Sequence, residues 1–227
     1  DELRENLFLA GDKVQSIYNP NLDTVWGNLG VHIATEKGDK KRSEFLKLAY
    51  RSGKSHIKLA LDFLATDEVL ARIVSKFYES RESIQSSDNA NDKVGLLEGE
   101  FSSVVAILEQ LISKVGYNPE EILILAPTHK IRDTFYQTLP SHLRDICAVT
   151  RDWIEGKVNI VTIHSAKGLE SRICIMLSLD HYQTSRAKRQ DMLLIYVGMT
   201  RAFQELYIHA YSFATDTLAK RIKEILS

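Results

Sequence analysis

Cysteine is scarce in this chain: Cys147 and Cys174 are the only two thiols, too few and too far apart for a disulfide framework or a CxxC metal site. Both stand in apolar, strand-like surroundings and are expected to be reduced core residues. Long apolar runs are missing too. The longest, such as Ile122 to Pro127 and Ile173 to Leu177, are strand-length and fall short of the ~20 residues a membrane span needs. The first residues, Asp-Glu-Leu-Arg-Glu-Asn, lack the basic start and apolar stretch of a secretory signal, so the cytoplasm is the expected location. Nor does one charge dominate: 29 basic residues meet 30 acidic ones for a net −1, which leaves no overall field to draw the chain onto nucleic acid. Any such contact has to be local. The candidate clusters are Lys37 to Arg42, then Arg51, Lys54 and Lys58, then Arg186, Lys188 and Arg189. What is there is the composition of a folded protein, 44% hydrophobic and 26% charged over 227 residues.

A phosphate-cradling loop of the form G-x-x-x-x-G-K-[ST] is also absent. Gly53-Lys54-Ser55 carries the end of that pattern, but Leu48 stands where its first glycine should be, so the match is a decoy.

Along the chain, Leu7 to Ala10 reads as a short buried strand ending at Gly11-Asp12. A loop-rich stretch from Asn19 to about Arg42 follows, with one strand expected at Val31 to Thr35. Helical spacing of apolar residues marks Ser55 to Leu64 and Asp67 to Ser80, the second opened by Asp67 as a cap, and Ser83 to Asp92 is polar enough for an exposed loop or linker. Beyond it, helices are expected over Gly99 to Gly116, Thr128 to Leu139, Gln190 to Arg201 and Thr215 to Leu226. Strands are expected at Ile122 to Ala126, Ile146 to Val149, Val158 to Ile163, Ile173 to Leu177 and Glu205 to Tyr211. This alternation predicts an α/β fold with a mostly parallel β-sheet flanked by helices.

Three segments put unusual polar residues beside apolar strands, where open parallel sheets bind ligands. In Val158 to Glu170, VNIVTIHSAKGLE, a buried strand runs into His164, Ser165, Lys167, Gly168 and Glu170. A plain strand followed by a helix start capped by Ser165 has the same spacing. In Ile195 to Ala202, IYVGMTRA, Arg201 follows an apolar helical stretch that can aim it. A guanidinium held there can neutralise charge on a phosphoryl group, or simply complement the helix C-terminus. The third is Gly11 to Tyr18, GDKVQSIY, with Ala49-Tyr50-Arg51-Ser52 downstream; taken alone, it reads as an ordinary turn and helix start.

Taken in order, GDxxQSIY, YRS, VxIxTIHSAKGLE and IYVGMTRA closely resemble motifs III to VI of UvrD/Rep/PcrA-type superfamily 1 DNA helicases, and the resemblance covers essentially the whole chain. It implies that residues 49–227 form a second RecA-like motor domain, P-loop NTPase-like but without the P-loop, and that 1–48 are a remnant of the first, around motif III. In such motors ATP sits between two RecA-like domains, and closure of that cleft ratchets single-stranded DNA 3′ to 5′. The resemblance places Gln15, Arg51 and Arg201 at the γ-phosphate as catalytic residues. Tyr50 would stack on adenine, Glu170 would bond the ribose, and Gly168 would lie beside them. Tyr18, Trp26, His164, Ser165 and Lys167 would face DNA. ATP with Mg2+ is the implied cofactor, held mainly by the first RecA-like domain, which with single-stranded or duplex DNA is the implied partner.

Departures from the pattern matter as well. Asn19-Pro20-Asn21 replaces the family's aromatic-Arg-Gly-Ala, leaving Trp26 as a substitute base-stacking ring. Ala49 stands where Asn commonly precedes Tyr-Arg, and Ser171 where Phe commonly follows Gly-Leu-Glu. Roughly 18 residues lie between Leu139 and Val158, too few for the large subdomain that many relatives insert there. No apolar strand ending in Asp-Glu is present to hold magnesium, so the chain by itself is expected not to hydrolyse ATP. The competing expectation is a helicase-like module that binds DNA or protein without catalysis. The retained Gln15, Arg51, Glu170 and Arg201 favour the motor.

Overall fold

Five consecutive residues with no solvent exposure, Ile122 to Ala126, form the middle of the sheet, and the remaining elements are arranged around them. The computed structural model describes residues 53–80, 92–150, 153–213 and 216–227. It also describes the parallel two-residue pairing of Leu48–Ala49 with Gln85–Ser86. The strands expected at Leu7 to Ala10 and Val31 to Thr35 lie outside the described residues.

Helices α1 (Lys54–Leu64) and α2 (Glu68–Ser80) come first, then strand β1 (Lys93–Glu98) and helix α3 (Phe101–Glu109). Then come β2 (Ile122–Ala126), α4 (His129–Thr138), the short α5 (Ser141–Arg144), β3 (Cys147–Val149) and β4 (Val158–Thr162). The series closes with β5 (Ser171–Met176), α6 (Arg189–Met199), β6 (Ala202–Ala210) and α7 (Leu218–Leu226). The six strands lie in the order β1-β6-β5-β2-β4-β3, and every neighbouring pair is parallel. The mostly parallel expectation is met in full.

Both faces of this sheet are covered, which is why its central strands read as continuous apolar runs rather than as alternating ones. Ile122, Ile124 and Ala126 join one core cluster with Phe101, Leu108, Phe135, Ile160 and Tyr207 beneath α3 and α4. Leu123 and Leu125, also fully buried, have the opposite parity and so face the other side. Each such side chain contributes roughly 1.5–3 kcal/mol of burial.

Local signals set the helix starts. Asp67 Oδ1 accepts the amides of Val69 and Leu70 at 3.0 Å each, Thr128 Oγ1 that of Ile131 at 3.2 Å, and Thr217 Oγ1 that of Lys220 at 3.3 Å. The helix expected to Gly116 runs from α3 into a π-helical stretch, Gln110–Val115, which Gly116 ends at φ 83°.

Four expectations need correction. Strand β1 was not expected. The polar stretch Ser83 to Asp92 includes the paired Gln85–Ser86. Strand β6 begins at Ala202 rather than Glu205, because Ala202 aligns with Ser171, and the last helix starts after Thr217 rather than at Thr215.

Candidate functional site

Strand β4 ends at Thr162 and its parallel neighbour but one, β5, begins at Ser171, so residues 163–170 return the chain from the C-terminal to the N-terminal edge of the sheet. Thr162 aligns with Ala126 on β2 and Ile173, two residues into β5, with Ile122, so the return covers about 20 Å of strand. Eight residues reach at most about 28 Å when extended, which leaves no room for the usual crossover helix.

A 3-10 turn, Ile163–Ala166, takes its place, with Thr162 as its cap: Thr162 Oγ1 accepts the Ser165 amide at 3.4 Å and lies 3.0 Å from Ser165 Oγ. Ile163 and Ala166 are fully buried and anchor the turn, while His164, Ser165 and Lys167 are exposed at the C-terminal edge. Gly168 sits at φ 87° with nothing within 4 Å of an added Cβ, so backbone conformation alone calls for glycine there. Glu170 is exposed at the opposite, N-terminal edge.

Arg201 comes to that same edge from the end of α6, two segments distant in sequence. The residue is only 8% exposed; its Nε donates to Val197 O at 2.9 Å and the two terminal nitrogens to Leu169 O at 3.1 Å and Thr200 Oγ1 at 3.2 Å. Its carbonyl accepts the Ser171 amide at 2.9 Å. Glu170 is thus bracketed by two residues bonded to Arg201. His56, fully buried on α1, reinforces the junction, its ring nitrogens lying 3.1 Å from Ala202 O and 3.0 Å from Lys93 O.

The decoy Gly-Lys-Ser is occupied by the protein itself. Asp92 accepts the Ser55 amide at 2.5 Å and the Ser55 hydroxyl at 3.1 Å, and an added Cβ on Gly53 would stand 2.6 Å from Asp92 Cβ. Both cysteines are free and buried, as expected; burial pushes the Cys147 thiol up to about 12 and the Cys174 thiol up despite the nearby Arg201. Among the described residues no group of three or more His, Cys, Asp or Glu is placed to hold a metal ion, and no helix is long and apolar enough to cross a membrane.

Of the expected site residues, the structure gathers Gly168, Glu170 and Arg201 at one edge and His164, Ser165 and Lys167 at or towards the other. Gln15, Tyr18, Trp26, Tyr50 and Arg51 lie outside the described residues. Sequence reasoning missed the supporting Thr162, His56 and Asn159. Asn159, fully buried in β4, accepts the Ile154 amide and donates to the carbonyls of Ile154 and Lys157, all at 2.9 Å. A lone asparagine inside an apolar strand was its available signal.

Residues 143–212 match the UvrD-like helicase C-terminal domain. The chain is 28% identical over 91% of its length to a probable DNA helicase of Mycoplasma pneumoniae, and 26% identical over 78% to the ATP-dependent DNA helicase srs2 of Schizosaccharomyces pombe. The chain carries a UvrD-like helicase C-terminal region. The chain spans 39% and 21% of the lengths of those two relatives. Its fold is that of a solved C-terminal domain of a possible DNA helicase from Lactobacillus plantarum, with a TM-score of 0.51 at 18% identity over 78% of this chain and 96% of that one. The sheet and its helices are accordingly a RecA-like α/β domain.

Proposed function

We propose that this chain supplies the second motor domain of an ATP-dependent DNA helicase that moves 3′ to 5′ along single-stranded DNA. The observation that carries the reading is the bond from Arg201 to Leu169 O at 3.1 Å, which joins the Gly168–Glu170 and Thr200–Arg201 segments into one edge. There Glu170 offers an exposed carboxylate to ribose hydroxyls. The backbone around Gly168 has open space above it, which fits a nucleotide sugar. Arg201, with Gln15 and Arg51, serves the γ-phosphate, and Tyr50 stacks on adenine. At the other edge His164, Ser165 and Lys167 take the DNA strand, and Tyr18 and Trp26 supply rings for its bases. Base stacking on such rings is sequence-tolerant, as translocation requires.

ATP and its Mg2+ rest mainly on the first RecA-like domain, the partner that completes the cleft in the cytoplasm, and without that domain this chain does not turn ATP over. The names of the two relatives support the helicase class. The test is DNA-stimulated ATPase and unwinding of tailed duplexes by this chain joined to the first motor domain. A 3′-tailed duplex is unwound in preference to a 5′-tailed one. Glu170→Gln, at an exposed position, raises the KM for ATP about tenfold, as loss of one charge-assisted hydrogen bond implies. An unchanged KM removes Glu170 from the site, and absent DNA stimulation leaves the inactive binding module.

A further inference from the structure

A second feature lies on the same sheet edge as the His164 turn. Helix α6 is 11 residues long, about 16 Å, and leads within three residues into β6, whose first residue Ala202 aligns with Ser171 at the N-terminal edge. Its other end, at Arg189, therefore stands at the C-terminal edge, and α6 packs against the Ile163–Ala166 turn. A cleft of about 650 Å³ opens there, and Lys188, Arg189 and Arg221 line it above the buried Met192 and Leu218.

Three long cations from α6, the loop before it and α7 converge on this hollow, against one carboxylate, Asp67. A solvated charge run would spread its side chains over a convex face instead. Arg189 contacts Asp67 Oδ1 and Oδ2 at 2.9 and 3.1 Å, a solvent-exposed pair of the kind that exchanges readily for another anion. Among the described residues Arg221 reaches only the Thr66 hydroxyl, at 3.4 Å, and neither it nor Lys188 has a carboxylate within ion-pair distance there.

We propose that this cleft binds the phosphodiester backbone of the single-stranded DNA as it leaves the His164 turn, with Lys188 and Arg221 each neutralising one phosphate. The inference rests on the helicase reading and adds to it a phosphate-contacting surface outside the four motifs. Oligonucleotide affinity then depends on salt through these side chains. Each phosphate contact to a single strand contributes a slope of about 0.7 in log Kobs against log salt.

The experiment titrates a fluorescent oligothymidylate with the whole chain over a salt series. It compares the unaltered protein, the double variant Lys188→Gln/Arg221→Gln, the reversal Lys188→Glu/Arg221→Glu, and Lys167→Gln at the turn. Thermal melts confirm that each variant is folded. The Gln pair is expected to flatten the slope by about 1.4 and the Glu pair to weaken binding further at low salt. Unchanged slope and affinity in the folded Gln pair, with Lys167→Gln weakened, overturn the cleft while leaving the helicase reading intact. Failure of the unaltered chain to bind the oligonucleotide also overturns the cleft, whereas the helicase reading is decided separately by the ATPase of the joined motor.

Discussion

Replacing Arg201 should cost the domain much of its stability before any nucleotide is present. The side chain donates to Val197 O at 2.9 Å and Leu169 O at 3.1 Å, two charge-assisted bonds worth about 1.5–3 kcal/mol each. The contact to Thr200 Oγ1 at 3.2 Å adds about 1 kcal/mol, so Arg201→Ala loses roughly 4–7 kcal/mol. Against a total stability of about 5–15 kcal/mol this is a large share, and at 2–4 °C per kcal/mol it lowers the Tm by roughly 8–28 °C. Arg201→Lys keeps the charge and one donor and should lose about half as much. Circular dichroism melts without nucleotide measure both. A Tm for Arg201→Ala within about 2 °C of the unaltered chain would mean that the guanidinium does not clamp the edge in solution, and the reasoning fails. The outcome bears on function as well. A variant that has unfolded cannot report on chemistry, so the role proposed for Arg201 at the γ-phosphate needs Arg201→Lys, still folded at assay temperature, to lose turnover.

Two further perturbations follow. His209 is fully buried, accepts the Ser178 amide at 3.0 Å on Nδ1 and lies 2.9 Å from Gly99 O through Nε2, the geometry of a neutral ring. Burial lowers its pKa below the ordinary value, only partly offset by the Gly99 carbonyl. The unfolded chain therefore takes up a proton below about pH 6.5 that the folded chain refuses, and stability falls as pH drops through that value. Urea midpoints should decline towards acid in the unaltered chain and decline less in His209→Gln, and equal declines would refute the assignment. Gly168→Ala meets no neighbour but must hold φ near 87°, so its cost is backbone strain of about 1–2 kcal/mol, read as a shifted urea midpoint at unchanged m-value. No shift would mean that the crossover relaxes around the new residue.

Residues that pack on both sides announced their elements; those defined by a partner strand did not. The runs at Ile122 to Ala126 and Val158 to Thr162 are buried on both faces and could be read directly. Strand β1, Lys-Val-Gly-Leu-Leu-Glu, lies at the sheet edge with charged ends and a central glycine, so its own pattern is weak and its extended form comes from pairing with β6. Gly95 is there because the ring of Tyr207 crosses it: an added Cβ would stand 2.7 Å from Tyr207 Cδ1. The two starts misplaced by three residues have separate causes: in sequence Thr215 and Thr217 are equally good caps, and Ala202 enters the sheet through its register with Ser171.

The site was legible in its parts and not in its assembly. Gly-Leu-Glu and Thr-Arg-Ala each attract notice as short polar runs, but the Leu169 to Arg201 bond spans 32 residues and exists because β5 and β6 are neighbours, a fact of strand order that no local pattern encodes. The same order explains why one short segment serves two edges. A crossover with a helix would have slack between its ends; residues 163–170, pinned at Thr162, Ile163, Ala166 and Leu169, have little. In the proposed motor, a shift of Arg201 against a nucleotide pulls on Leu169, and the His164 turn is the next anchored point along the chain. Coupling between the two edges then requires only that this segment be short and taut, which makes its length, rather than any single side chain, the property that an inserted residue would disturb.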